Sequence, residues 1–133
     1  MTNKVRDTTL PTDAELAILD VLWQRGPSTV RQVHEQLTSA QEGRGTGYTT
    51  TLKLMQIMAA KGLLNRDESR RSHVYKLAAG REQTQGSLVR NLMDKAFGGS
   101  ASAMAMRALS TKPPTADELN ELKQMLEDLE KKQ

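Results

Sequence analysis

The side chains that could take part in chemistry are mainly basic and hydroxyl groups in the middle of the chain. Between Arg44 and Arg81 there are eight basic residues and two acidic ones, a net charge of +6. Residues 82–133 have seven basic and eight acidic residues, a net charge of −1. A basic patch confined to one part of a chain suits phosphate binding, because each neutralised phosphate releases counterions. The charge distribution therefore indicates binding to a polyanion, with a solvated basic surface as the alternative.

The hydroxyl groups of Thr49 and Thr50 stand at the start of a predicted helix, with Lys53 one turn further on. A threonine hydroxyl donates or accepts at a base edge, and its methyl group can touch a thymine methyl. A lysine suits a guanine edge or a phosphate. These three residues are the predicted recognition surface, with helix capping and solvation as the alternative. Tyr48 is predicted either to send its hydroxyl to a phosphate or to pack inward.

Two further pairs of residues are placed to meet the backbone of a nucleic acid. Thr29 and Arg31 lie at the start of a second predicted helix, where a hydroxyl, a guanidinium and free amides converge on one point. Arg70 and Arg71 lie at the charged tip of a predicted hairpin, where they are predicted to contact phosphates or the minor groove. Contacts of this kind fix register on a duplex rather than read its sequence. We predict that all four residues bind DNA, with a solvated turn as the alternative for the two at the tip.

Catalytic and metal chemistry has little support in this composition. The chain has no cysteine and only two histidines, His34 and His73. It offers no glycine-rich phosphate loop, metal motif or plausible catalytic triad, so we expect no enzyme activity, no metal and no cofactor. It also has no apolar run near the roughly 18 residues that span a bilayer and no signal-peptide pattern. We therefore expect a cytoplasmic protein that does not enter a membrane.

The elements that must position these residues follow from the apolar periodicity of residues 1–80. A capping box at Thr12 and Glu15 opens the first helix, Gly26-Pro27 ends it, and a short extended link, Ser28-Thr29, leads into the second. Residues 41–47, which include three glycines, are predicted to form a loop before the third helix. Three helices are predicted before two short β-prone runs, Leu63–Arg66 and His73–Leu77. Three helices followed by a basic hairpin are the order of a winged helix, whose third helix enters the major groove. The predicted fold is mainly α with a small β hairpin, a winged helix-turn-helix domain over residues 1–80.

Residues 81–133 are predicted to form a helical dimerisation region. Helices are expected at roughly 81–97, 100–110 and 115–131. The last opens with a second capping box, Thr115 with Glu118, and has leucines at coiled-coil spacing. About fifty residues with one aromatic side chain cannot bury enough surface to fold alone. A second copy of the chain is the simplest partner. The apolar residues predicted to meet it are Leu88, Leu92, Phe97, Met104, Leu109, Leu119, Leu122, Leu126 and Leu129.

Nearly the whole chain, from about Leu10 to Lys131, resembles the penicillinase-repressor family (the BlaI/MecI/CopY group). The segments that carry the resemblance are Leu10-Pro-Thr-Asp-Ala-Glu-Leu-Ala-Ile-Leu-Asp-Val-Leu-Trp23, Thr29-Val-Arg-Gln-Val33, Gly47-Tyr-Thr-Thr-Thr-Leu-Lys-Leu-Met55, Ala60-Lys-Gly-Leu63 and Arg71-Ser-His-Val-Tyr75. The resemblance implies a dimeric winged-helix repressor that binds a two-fold-symmetric operator. It also implies that the C-terminal helices pair to form the dimer.

Two departures from the family bear on how such a repressor is released. Copper-responsive members have a cysteine-rich tail, which this chain lacks. The β-lactam-responsive members are cut by a membrane sensor protease at an Asn–Phe bond in the penultimate helix. The similar position here reads Met106-Arg107-Ala108-Leu109. The resemblance thus marks Arg107–Ala108 as the candidate proteolytic site and a sensor protease as a candidate partner, although the bond differs.

Two alternatives stay open at the level of sequence. A winged-helix module also binds protein or RNA, in which case the polar face of the third helix would be incidental. The tail could instead sense a small molecule. The low content of aromatic residues argues against a well-formed ligand pocket there.

Overall fold

A computed structural model describes residues 10–40 and 47–133 of the chain. The loop predicted for residues 41–47 lies, apart from Gly47, outside the described residues. The described elements, in chain order, are α1 (Asp13–Arg25), β1 (Ser28–Thr29), α2 (Val30–Ala40), α3 (Tyr48–Ala60), β2 (Leu64–Asp67), β3 (Val74–Leu77), α4 (Arg81–Ala96), α5 (Ala101–Thr111) and α6 (Ala116–Lys131). The predicted order of three helices, a hairpin and three further helices is confirmed.

The helix ends are set by the capping residues that the sequence indicates. Thr12 accepts a hydrogen bond from the Glu15 amide through its Oγ1, and the Glu15 carboxylate accepts one from the Thr12 amide, at 3.2 and 2.9 Å. Gly26 ends α1 at a φ of 86°, a conformation that costs glycine little because it has no Cβ. A second capping box, between Thr115 and Glu118, opens α6. Both predicted capping boxes are confirmed.

The sheet has three antiparallel strands in the order β1-β3-β2. Residues 28 and 29 were predicted to be an extended link, and they pair with β3 as a short third strand. Ser28 lies opposite Tyr75, and Arg66 of β2 lies opposite Tyr75 on its other side. This register holds the start of α2 against the hairpin, so that both elements border one surface.

The core of the winged-helix region is formed by α1, α2, α3 and the sheet. Tyr75 is the largest of its fully buried side chains. The buried apolar side chains are Ile18, Leu19, Val21, Leu22, Val30, Val33, Leu37, Met55, Met58, Leu64 and Tyr75. Nine of them lie in the three helices at helical spacing, and Leu64 and Tyr75 lie on β2 and β3.

A buried ion pair fixes the far end of α3 against the start of α1. The Glu15 carboxylate is almost fully buried, and its Oε1 lies 2.7 Å from Nζ of Lys61. Lys61 is the C-cap of α3, and its Nζ also donates to the Leu10 carbonyl oxygen at 3.2 Å. A cation at this position is favourable because the C-terminus of a helix carries partial negative charge. The orientation of α3 is therefore set by charge as well as by packing.

The chain divides into two compact units, Met1–Val89 and Arg90–Gln133. The first half of α4 belongs to the first unit, where Thr84 is buried and the Arg81 guanidinium lies 5.1 Å from the centroid of the Trp23 ring. In α5 and α6, both described in full, no residue is buried. Within residues 10–40 and 47–133, no helix combines the length and apolarity needed to cross a membrane.

Candidate nucleic-acid interface

A polar groove of about 530 Å³ opens between the start of α2, the face of α3 and the hairpin. Its walls combine basic, hydroxyl and amide groups with a few apolar ones. They are formed by Thr29, Val30, Arg31, Tyr48, Leu52, Gln56, Arg66, Arg71, Ser72, His73 and Tyr75. Three elements distant in sequence thus present their polar side chains to one surface.

Thr29 is the residue that starts α2 at the edge of this groove. Its Oγ1 accepts a hydrogen bond from the Gln32 amide at 3.2 Å, and the Gln32 side-chain oxygen accepts one from the Thr29 amide at 2.9 Å. This reciprocal cap resembles the box at the start of α1. Because the Thr29 oxygen acts as an acceptor in the cap, its hydroxyl hydrogen keeps the capacity to donate to an incoming oxygen.

Tyr48 connects α2 and α3 at the mouth of the groove through its ring. The guanidinium carbon of Arg31 lies 5.4 Å from the ring centroid, within the range of a cation–π contact. The His34 ring meets the same ring edge-on, with centroids 5.8 Å apart and an angle of 88°. The Tyr48 side chain is 40% exposed, so the ring packs against neighbouring polar side chains at the surface. This packing holds the Arg31 guanidinium toward the groove.

The first turns of α3 separate an inward face from an outward one. Thr51 is buried and donates its hydroxyl to the Gly47 carbonyl oxygen at 3.1 Å. Thr49, Thr50 and Lys53 are exposed. Residues three and four apart share a face of a helix, so Lys53 extends the surface that the two threonines begin. These outward groups are able to make hydrogen bonds to a ligand that lies along the helix.

The connection between β2 and β3 is strongly charged and exposed. Arg70 and Arg71 lie within it, and Arg71 also lines the groove. The pKa of the Asp67 carboxyl is lowered, first by hydrogen bonds from the Ser69 side chain and amide and then by the charges of Lys76 and Arg70. The Ser69 amide donates to Asp67 Oδ1 at 2.9 Å, which tightens the turn.

A second carboxylate in the same connection pairs directly with groove residues. Glu68 Oε1 lies 2.8 Å from Nη2 of Arg66 and 4.0 Å from Nε2 of His73. Arg66 and His73 both line the groove. The hairpin therefore brings basic side chains to the groove and holds an acidic one beside them.

Comparisons with known proteins identify the family of the chain. The family model described as Penicillinase repressor matches residues 11–128. The chain belongs to the penicillinase repressor family. It is also 34% identical over 119 residues to the Transcriptional regulator BlaI of two strains of Mycobacterium tuberculosis, a match that covers 89% of this chain and 83% of each relative.

In this member of the penicillinase repressor family, the predicted site residues lie on two adjoining surfaces. Thr29, Arg31, Tyr48 and Arg71 line the groove. Thr49, Thr50 and Lys53 lie on the outward face of α3, and Arg70 lies in the hairpin connection; none of these four is among the groove-lining residues described.

Sequence reasoning did not select Gln56, Arg66 and His73, which also line the groove. Gln56 follows Lys53 on the polar face of α3, and that position is the signal that could have identified it. The placement of Arg66 depends on the strand register, which a four-residue strand does not specify.

Proposed function

We propose that the chain is a dimeric, sequence-specific DNA-binding transcriptional repressor that acts on a palindromic operator in the cytoplasm. The observation that carries this proposal is the groove in which α2, α3 and the hairpin bring hydroxyl and guanidinium groups together. Membership of the penicillinase repressor family makes the chain a DNA-binding transcriptional repressor rather than an enzyme. The groove adds a physical account of how it would hold a duplex.

In the proposed complex, α3 lies in the major groove. An α-helix with its side chains is about 10–12 Å wide, which fits the major groove of about 12 Å. Thr49, Thr50 and Lys53 would face the base edges, because they point outward while Thr51 points into the protein. The start of α2, with Thr29 and Arg31, would meet the phosphates on one side.

The hairpin would contact the backbone on that same side of α3, because it lines the groove together with Thr29 and Arg31. Arg70 and Arg71 are exposed in the connection between β2 and β3. Tyr48 serves in this proposal mainly as a platform for Arg31, since the guanidinium lies over its ring. Contacts to phosphate would fix the register, and the α3 side chains would read the sequence.

The proposed dimer uses residues 81–133, with residues 1–80 as the DNA-binding domain. Large apolar side chains of α4, α5 and α6 are exposed in the single chain, among them Leu92, Leu109, Leu119, Leu126 and Leu129. A crevice of about 850 Å³ between α5 and α6 is lined partly by Leu109, Leu122 and Met125. A second copy would cover these faces together with Leu88, Phe97 and Met104, which are half-buried. Two-fold pairing would match a palindromic site.

Release by a sensor protease at Arg107–Ala108 belongs to this proposal as its inducible step. Both residues are exposed on α5. The Arg107 carbonyl oxygen accepts from the Thr111 hydroxyl at 2.7 Å, and the Ala108 carbonyl oxygen accepts from the Lys112 amide at 3.0 Å. The bond therefore lies inside a hydrogen-bonded helix, and cutting it requires α5 to open first.

A binding titration tests the proposed function. The protein would select its preferred duplex from a random library, and its affinity for that duplex would be compared with its affinity for a scrambled one at several salt concentrations. We expect a preference of roughly 10³-fold or more. The log–log salt dependence should have a slope near −0.9 per neutralised phosphate. Equal binding to both duplexes, or tighter binding to RNA, would favour a winged-helix module with another partner.

A further inference from the structure

We infer that Arg66 is a further phosphate-binding residue and that Glu68 competes with phosphate for it. The inference rests on the proposed function, because it concerns how strongly the hairpin binds a duplex. Arg66 lines the groove but is not one of the residues proposed above to contact DNA. The inference also explains why a hairpin that faces a polyanion keeps a carboxylate beside its basic side chains.

The geometry places Arg66 where a phosphate would approach. Arg66 lines the same groove as Thr29, Arg31 and Arg71. It lies on β2, opposite Tyr75 of the central strand, so its position is fixed by the sheet rather than by a loop. Its side chain is 36% exposed, which leaves the guanidinium open to an incoming anion. The five N–H donors of a guanidinium match the oxygens of a phosphate as well as those of a carboxylate.

In the absence of DNA, Glu68 forms an ion pair with the Arg66 guanidinium. Its Oε1 lies 2.8 Å from Nη2 of Arg66, and its own side chain is 57% exposed. The same oxygen lies 4.0 Å from Nε2 of His73, which adds a favourable charge when that ring is protonated. The carboxylate thus sits among the cationic groups of the groove, in the position that a phosphate oxygen would take.

Such a pair is suited to exchange because it is exposed. Ion pairs at a protein surface are weak and are screened by salt. A duplex whose phosphate backbone lies along the protein groove would pair with the Arg66 guanidinium and leave Glu68 facing phosphates of the same sign of charge. The exchange replaces one ion pair by another, so the net gain from Arg66 is small while Glu68 is present. Glu68 therefore competes with phosphate for Arg66 and weakens the binding of the hairpin to any duplex, whatever its sequence.

The exchange also predicts an unusual salt dependence. Salt weakens the Arg66–phosphate contact, but it equally weakens the Arg66–Glu68 pair that must open first. In the native chain these two effects nearly cancel, so Arg66 adds little to the salt slope. Without the carboxylate, Arg66 behaves as an ordinary phosphate contact and adds up to about 0.9 to the slope.

The test is an anisotropy titration of the full chain with a labelled random-sequence duplex of about 30 base pairs, long enough for two half-sites. The variants are Glu68→Gln, Arg66→Gln, both together, and Asp20→Asn as a control of equal charge change. Asp20 is exposed on α1, and none of the groove-lining residues described lies on that helix. Glutamine matches glutamate in size and keeps part of the aliphatic stem of arginine, and both positions are exposed, so the fold is retained.

We expect Glu68→Gln to bind about 3- to 10-fold more tightly at low salt and to show a steeper slope, by up to about 0.9. Asp20→Asn should change affinity less than about 2-fold and leave the slope unchanged, since exposed charges far from a ligand are screened. In the Arg66→Gln background, Glu68→Gln should lose most of its effect, because the competed side chain is gone.

Two results would overturn the inference and leave the proposed function intact. One is a Glu68→Gln variant that behaves like Asp20→Asn. The other is a gain from Glu68→Gln that persists fully without Arg66, because Glu68 would then act only by general repulsion. A native chain that binds neither this duplex nor any selected one would overturn the proposed function, and the inference would fail with it.

Discussion

The winged-helix region and the C-terminal helices differ most in what they bury. From α1 to β3, eleven apolar side chains are buried in one core. In α5 and α6, both described in full, none is buried, and Leu126 is 60% exposed. Burial of apolar surface is the main favourable term in folding. The first region therefore has its own source of stability, whereas in the proposed dimer the second would gain it from the surface of another chain.

Replacing leucine by alanine in each region tests this difference in burial with the largest expected effect. Leu19 is 1% exposed in the core and Leu129 is 47% exposed on α6. We expect Leu19→Ala to lower the free energy of unfolding by about 2–5 kcal/mol, because it leaves a cavity in a packed core. Urea unfolding at two protein concentrations would measure this loss, which should be the same at both.

Leu129→Ala serves as the matched counterpart. If a second copy covers this position, its effect on unfolding should be largest at high protein concentration and should shrink as the protein is diluted, because dimerisation then stabilises neither protein. Sedimentation would show the corresponding shift toward monomer. A Leu129→Ala protein that is as stable and as dimeric as the native chain at every concentration would contradict the proposed role of this face.

Substitutions on the outward face of α3 test whether this face binds DNA without contributing to the stability of the core. Thr50 and Lys53 are exposed, so their loss should leave the stability of the core unchanged. We expect Thr50→Ala and Lys53→Ala each to weaken binding to the selected duplex by about 5- to 150-fold, since a base contact contributes about 1–3 kcal/mol of discrimination. Anisotropy titrations would measure it.

The control for these variants is Lys123→Ala, which removes the same charge from α6. Its affinity should stay within about 2-fold of the native value, because it lies outside the proposed interface. Unchanged binding by both α3 variants, alongside unchanged binding by the control, would show that α3 does not read the duplex.

The smallest expected effect is a dependence of α6 on acid pH. The pKa of Glu118 is lowered, first by the hydrogen bond from the Thr115 amide and then by that from its side chain. A lowered pKa in the folded state means that the stabilisation is present above the ordinary value of 4.5 and is lost as the pH falls through the lowered pKa. Helix α6 should therefore begin to fray in acid from its first turn.

Amide exchange across α6 would measure this fraying as the pH is lowered below 4.5. Glu118→Gln keeps an acceptor for the Thr115 amide but does not titrate, so its exchange should vary less over the same range. If both proteins show the same pH profile, the cap does not stabilise α6.

The helices were predictable from sequence because each has a strong local signal. Thr12 with Glu15, and Thr115 with Glu118, cap their helices as the pattern indicates. Ser28 and Thr29 have no such signal, because two residues show no periodicity. Their pairing with β3 follows from the packing of α1 and α2, which brings them to the sheet.

The candidate site was predictable where one element carries it and less so where several meet. Thr49, Thr50 and Lys53 follow from the polar face of a single helix. The pairing of Arg66 with Glu68, and the placement of Arg66 in one groove with Arg31, depend on the register of the hairpin and on its pairing with β1. Such groupings are set by tertiary structure, which a short sequence pattern does not encode.

Footprinting on the selected duplex tests the central claim most directly. Protection of guanine N7 from methylation reports occupation of the major groove, and hydroxyl-radical cleavage reports contacts with the backbone. We expect two groups of protected guanines related by two-fold symmetry, each flanked by protected backbone, with two chains bound per duplex. A single unsymmetrical patch, or backbone protection with no protected guanine, would contradict the account.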